Sequence, residues 1–242
     1  MASFIKKIKR SFRKDGFFQT LKLCGQNLTY LFKNKMAYVQ GGQLEADYFD
    51  RQYGVNTGGI VEVSDLGIDY ERHCWSQRYQ PTPVGLFQQM MNGLAIRYED
   101  FLFIDIGSGK GRTLLMASEL PFIQIIGVEL SEKLVAVSRM NVSQYTSTTQ
   151  RCRDIQTVCI DATLYVIPNY PSVFYFYNPF QDEVLKSVLE NIYCSLKECP
   201  RELFIVYCNP NPHSILKRCD WLYEFKTSAT YSIYRTAASC RD

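Results

Sequence analysis

Glycines stand at positions 107, 109 and 111 of this 242-residue chain, and Asp105 stands two residues before the first of them. Glycine lacks a Cβ, so such a run can turn sharply and let another group approach the backbone closely. Its spacing excludes two common phosphate-binding loops. A P-loop needs a glycine, four residues, then Gly-Lys-Ser/Thr. Here Lys110 is followed by Gly111, and the residue five before Gly109 is Ile104. The dinucleotide fingerprint Gly-x-Gly-x-x-Gly fails because its third glycine comes one position early. What remains is Asp105-x-Gly107-x-Gly109-x-Gly111, either a nucleotide-type site or a glycine-rich turn without a ligand.

Three other polar groups occupy corresponding places further on. Glu129 ends the apolar run Ile123–Val128, Asp161 follows Thr157–Ile160, and Asn178-Pro179-Phe180 follows Val173–Tyr177. A carboxylate at Glu129 can accept two hydrogen bonds from a ribose diol, and Asp161 can accept one from an adenine amine. Asn178 can accept from an amine nucleophile, and Phe180 can pack against it or against a cation. Each has an ordinary counterpart: a surface acid beside Ser131, a loop cap, and an Asn-Pro turn that starts a helix.

These positions matter only if the chain brings them to one edge, and its periodicity says that it does. Phe101–Asp105 reads as a strand buried on both faces, followed by the glycines and by a helix over Thr113–Leu120. Strand and helix then alternate: strands at 123–128, 157–160, 173–177 and 203–208, and helices after Ser131 and over 184–196. Trp221–Phe225 and Tyr231–Tyr234 read as a closing antiparallel pair. Alternation of this kind predicts an α/β, doubly wound, mostly parallel sheet that binds ligands beyond the carboxyl ends of its strands. Upstream, a helical turn is expected at 47–53 and a short strand at 60–63. A helix is expected over about 84–97, burying Val84, Phe87, Met91 and Leu94/Ala95.

Composition bounds the rest. Hydrophobic residues make up 46% and charged residues 21%, which is ordinary for a globular protein. No apolar run reaches membrane-spanning length, and no signal peptide is recognisable, so a cytoplasmic protein is expected. The cysteines number nine, with no Cys-x-x-Cys, and there are two histidines, so free thiols and no metal site are expected. Charge is uneven. Residues 1–35 hold nine Lys/Arg and one acid, +8, and the other 207 hold eighteen bases and twenty-three acids, −5. Within 1–15, Phe4, Ile5, Ile8 and Phe12 share one helical face among six bases. That basic amphipathic pattern suits an anionic membrane surface or nucleic acid, or a helix docked on the domain with solvated lysines. The net acidity beyond residue 35 disfavours a nucleic-acid groove.

The glycine loop resembles motif I of the class I (seven-stranded) S-adenosylmethionine-dependent methyltransferases, and the order of motifs over 98–210 follows that family. An acid at the head of the loop suits a cofactor that carries an ammonium and a sulfonium. The segment Tyr79-Gln-Pro-Thr82 is similar to the one preceding motif I in non-SET protein-lysine methyltransferases. Phe49-Asp-Arg-Gln-Tyr-Gly54, taken with these motifs, looks like a group of bacterial methyltransferases. The resemblance implies an S-adenosyl-L-methionine site at Tyr79, Thr82, Asp105, Gly107, Ser108, Gly109, Gly111, Glu129, Asp161 and Asn178. Asn178 and Phe180 would be the catalytic pair facing an amine acceptor, protein lysine or small molecule, through a one-proline version of Asn-Pro-Pro-Tyr/Phe. With the basic amphipathic start, the expected organisation is a basic helical extension at 1–40, a cap and pre-motif helix at 41–97, and the cofactor domain at 98–242. A cofactor-binding scaffold without activity and an NAD-dependent oxidoreductase are the competing readings.

Overall fold

In the computed structural model, residues 43–69, 75–208 and 213–236 are described. The expected amphipathic helix at 1–15 and the rest of the helical extension expected to residue 40 lie outside the described residues.

Seven strands form one sheet in the order β3-β2-β1-β4-β5-β7-β6. They are β1 Leu102–Ile106, β2 Ile125–Glu129, β3 Ile155–Cys159, β4 Ser172–Tyr177, β5 Leu203–Cys208, β6 Leu222–Thr227 and β7 Tyr231–Thr236. Strands β1 to β5 pair in parallel, and β7 runs against both β5 and β6. This is the doubly wound, mostly parallel, seven-stranded class I methyltransferase-like arrangement expected from the sequence.

The central strands are apolar at nearly every position because they feed two cores, with Asp105 of β1 and Ser172 of β4 as buried polar exceptions. Phe103, Val173, Tyr175, Phe204 and Val206 face one layer. That layer includes helices α2 (Val84–Asn92) and α3 (Arg112–Ala117), through Phe87, Met90, Met91, Leu114 and Leu115. The alternate residues Ile104, Ile106, Phe174, Phe176 and Ile205 face the other, with Leu185, Val188, Leu189 and Ile192 of α5 (Asp182–Glu198). Alternation across a strand puts successive side chains on opposite faces, so a strand covered on both reads as a near-continuous apolar run.

Helix α4 (Glu132–Gln144) starts where expected, with Ser131 Oγ accepting from Leu134 N at 3.3 Å. α1 spans Gln43–Tyr53, and α6 is a single turn at His213–Leu216. Two upstream expectations are corrected. α2 ends at Asn92 with Gly93 as its cap, and Ala95 then turns left-handed at φ 51° and is exposed, so the helix does not reach 97. In place of a strand at 60–63 there is a single bridge between Val61 and Tyr79.

Candidate functional site

β1 gives way to the glycine loop at the carboxyl edge of the sheet. Gly107, Gly109 and Gly111 take φ of 84°, 55° and 81°, a left-handed region where a side chain is strained. The Gly107 and Ser108 amides both donate to Val128 O, at 2.8 and 3.1 Å, which folds the loop back over β2. Gly111 caps the start of α3.

Glu129, the last residue of β2, is buried beneath this loop. Its Oε2 accepts from Gly109 N at 2.9 Å and its Oε1 from Ser131 N at 2.8 Å. Burial pushes its carboxyl above the ordinary range, opposed by those two amides. Asp105 lies in β1, 2% exposed, and accepts from the Thr113 hydroxyl. Burial raises it from 3.8 to about 7 against the pull of Thr113, and the charge of Glu129 adds to the rise. Two buried acids with raised pKa values make this edge one that a cation would stabilise.

The segment Trp75–Gln80 crosses in front of the loop as a strap with backbone bonds on both sides. Tyr79 exchanges backbone hydrogen bonds with Val61, at 2.9 and 3.2 Å. Gln77 N donates to Pro179 O at 3.2 Å, and Gln181 N donates to Trp75 O at 3.0 Å. Between strap, loop and sheet edge is a cavity of about 160 Å³. Leu66, Leu130, Leu134 and Ile160 give its wall an apolar stretch, and Trp75, Arg78, Gln80, Thr163, Tyr177 and Val184 also line it.

Of the residues expected from sequence, Tyr79, Gly107, Gly109, Glu129, Asp161 and Phe180 line this cavity together. Asp161 also caps its own turn, accepting from Thr163 N at 2.9 Å and Thr163 Oγ1 at 2.7 Å. Five others are not among the lining residues. Thr82 is buried against β4, its hydroxyl 2.9 Å from Tyr175 Oη. Asp105 sits behind the loop on Thr113. Ser108 is buried, its hydroxyl without a hydrogen-bond partner, and a Cβ on Gly127 would lie 2.7 Å from it. Gly111 backs onto Ser138 of α4.

Asn178 is the fifth. It adopts a left-handed φ of 45°, and its Oδ1 accepts from Tyr207 Oη at 3.2 Å. The carbonyl expected to receive an amine is therefore turned to β5. The close approach allowed by the glycines is also used within the chain. A Cβ on Gly109 would overlap the Tyr79 ring, and one on Gly107 would lie 2.5 Å from Pro179 Cβ.

Sequence reading missed a polar cluster behind the loop. Asp50 accepts from Thr57 N at 2.8 Å, Gly58 N at 2.7 Å and Thr57 Oγ1 at 2.5 Å. Arg112 Nε donates to Thr57 Oγ1 at 2.9 Å. Asn141 on α4 accepts from Asn56 N at 2.8 Å and donates to the carbonyls of Asn56 and Lys110 at 2.9 and 2.8 Å. A usable signal existed for Asn141, a polar residue on the face of α4 that carries Leu134 and Ser138. Asp50 and Arg112 gave none beyond lying inside recognisable motifs.

A family model described as "Putative methyltransferase" matches residues 99–176, which run from just before β1 nearly to the end of β4. No curated protein matches the chain. Among solved structures, the chain is similar to an RNA methyltransferase from Salinibacter ruber in complex with S-adenosyl-L-homocysteine. The identity is 20%, over 64% of this chain and 92% of that one, with a TM-score of 0.45. A precorrin-6y C5,15-methyltransferase from Geobacter metallireducens is 13% identical over 64% and 88%, TM-score 0.45. A precorrin 8w decarboxylase from Methanobacterium thermoautotrophicum is 13% identical over 66% and 92%, TM-score 0.47. The fold class itself rests on the strand order of this chain.

Proposed function

We propose that the chain is an S-adenosyl-L-methionine-dependent methyltransferase whose cofactor lies in the cavity beside the glycine loop. The observation that carries this is Glu129, held by Gly109 N and Ser131 N at the end of β2 and lining the cavity. Each carboxylate oxygen accepts one of these bonds and has capacity for another, so the pair can receive a ribose diol. Leu130, Leu134 and Ile160 offer apolar contact to an adenine, with Asp161 at its amine edge. The match of residues 99–176 to a methyltransferase family supports the same assignment.

The cofactor supplies a methyl group on a sulfonium, already carrying its leaving group, so the chain contributes position and exclusion of water. Burial raises both Asp105 and Glu129, and a cationic ligand would offset that cost. A dinucleotide would need the loop's amides for its pyrophosphate, and Gly109 N is already donated to Glu129. The cavity reaches Tyr177, Pro179 and Phe180, where an acceptor would meet the methyl group, and this favours an enzyme over a silent scaffold. An amine acceptor is the reading of the Asn178-Pro-Phe motif. With Asn178 turned to Tyr207, such an amine would be received by Phe180 and Tyr177 at the cavity wall.

Calorimetry tests the cofactor. S-adenosyl-L-homocysteine is expected to bind, and Glu129→Ala to weaken it by roughly 1–3 kcal/mol, as for a lost hydrogen-bonded charge. Equal or tighter binding of NAD would sink the assignment. Incubation with radiolabelled S-adenosyl-L-methionine and cell extract, followed by gel separation and lipid extraction, then reports whether protein, lipid or nucleic acid receives the label.

A further inference from the structure

Arg112 follows the last glycine directly and is 2% exposed. A guanidinium buried this far costs several kcal/mol unless its charge and donors are met. One short segment meets part of that demand. Arg112 Nε donates to Thr57 Oγ1 at 2.9 Å, its Nη2 lies 3.8 Å from Asp50 Oδ1, and its plane stands 4.7 Å from the Phe49 ring. The Thr57 hydroxyl donates in turn to Asp50 Oδ1 at 2.5 Å, and Asp50 Oδ2 accepts from the amides of Thr57 and Gly58.

The same segment makes two further contacts, one to the loop and one to the strap. Lys110 Nζ donates to Gly58 O at 2.7 Å, and Tyr79 Oη donates to Thr57 O at 2.6 Å. The second bond sets the Tyr79 ring over Gly109, where a Cβ would overlap it. Segment 50–58 therefore anchors the end of the glycine loop through Arg112, its middle through Lys110, and the facing wall through Tyr79.

We propose that Asp50, Thr57 and Arg112 form a positioning unit that sets the separation between the glycine loop and Tyr79, and so the affinity for cofactor. None of the three lines the cavity, so each acts through its neighbours. This rests on the cofactor reading above. A loop whose amide must meet Glu129 and whose facing ring must leave room for a ligand tolerates little displacement.

Thr57→Val is the direct test, because it keeps the shape of the side chain and removes the hydroxyl joining Asp50 to Arg112. Thr57→Ser keeps that hydroxyl and serves as the rescue. Affinity for S-adenosyl-L-homocysteine is measured by calorimetry well below each melting temperature. Thr57→Val is expected to bind about tenfold more weakly and Thr57→Ser within about threefold of the unmodified protein, the scale of one buried hydrogen bond. A Thr57→Val protein that melts lower yet binds with unchanged affinity would show a purely structural role and overturn the proposal. If Thr57→Val does not fold, Tyr79→Phe cuts the tether from the other end. It should weaken binding severalfold at a nearly unchanged melting temperature, and unaltered affinity overturns the proposal equally. Failure of the unmodified chain to bind at all is the separate result that removes the cofactor reading and the unit with it.

Discussion

Asp105 shows how much of this site is set by burial and not by contact with the cavity. Its pKa stands raised from 3.8 to about 7 in the folded chain, so the folded state holds its proton more tightly than the unfolded state. The stability it contributes is complete below about pH 4 and is lost as pH rises through about 7. Asp105→Asn keeps an oxygen for the Thr113 hydroxyl and removes the titration. The melting temperature of the unmodified protein is therefore expected to fall relative to Asp105→Asn between pH 4 and 7, and to run parallel above that. Parallel curves over the whole range would mean that folding leaves the pKa of this carboxyl unshifted. The same argument applies to ligands: a cationic cofactor should favour ionised Asp105, so its affinity should rise with pH over this window.

At the scale of elements, the turn after β4 joins three parts of the fold. Asn178 ties it to β5 through Tyr207, Pro179 O and Gln181 N tie it to the strap, and Pro179 packs on Gly107. Asn178→Ala puts a Cβ-bearing residue without a hydrogen-bonding side chain in a left-handed conformation, and it leaves the buried Tyr207 hydroxyl without this acceptor. A loss of about 1–3 kcal/mol is expected in denaturant unfolding, and Tyr207→Phe in the same chain should recover part of it. Reduced turnover with unchanged stability would instead return Asn178 to the acceptor.

Strands β1, β2 and β4 are legible in sequence because both of their faces are buried, which leaves apolar runs that lead to Asp105, Glu129 and Asn178, whereas β3, at the edge of the sheet and half-exposed, shows only the short run before Asp161. Helix α2 was read too long because Gly93 and Ala95 sit inside an apolar period that continues to Ile96. The strap was not legible. Its partners Val61, Pro179 and Gln181 are distant in sequence, and backbone pairing of isolated residues leaves no side-chain period. Thr82 and Asn178 were assigned to ligands for a related reason. The resemblance points to Thr82 and the hydrogen-bonding capacity of its amide to Asn178, but Tyr175 and Tyr207, which engage them, come from strands whose facing positions depend on the assembled sheet.

For the whole molecule, charge separates what the sheet does from what the first residues carry. Residues 1–35 have a net charge of +8 and the remaining 207 a net charge of −5. Among the described residues no helix is long and apolar enough to cross a membrane. Peripheral attachment through Phe4, Ile5, Ile8 and Phe12, with six surrounding bases, is our proposal for the first fifteen residues. Each base near anionic lipid would add about 1 kcal/mol of attraction, and that attraction is screened by salt. The full chain is thus expected to pellet with vesicles containing anionic lipid, less so at high salt and not with neutral vesicles. Deleting residues 1–15 should abolish pelleting and leave S-adenosyl-L-homocysteine affinity intact, because Glu129, the glycine loop and the Asp50 cluster all lie beyond residue 45. A chain that never pellets, and whose melting temperature falls on deletion, would show that the apolar stripe is used within the protein.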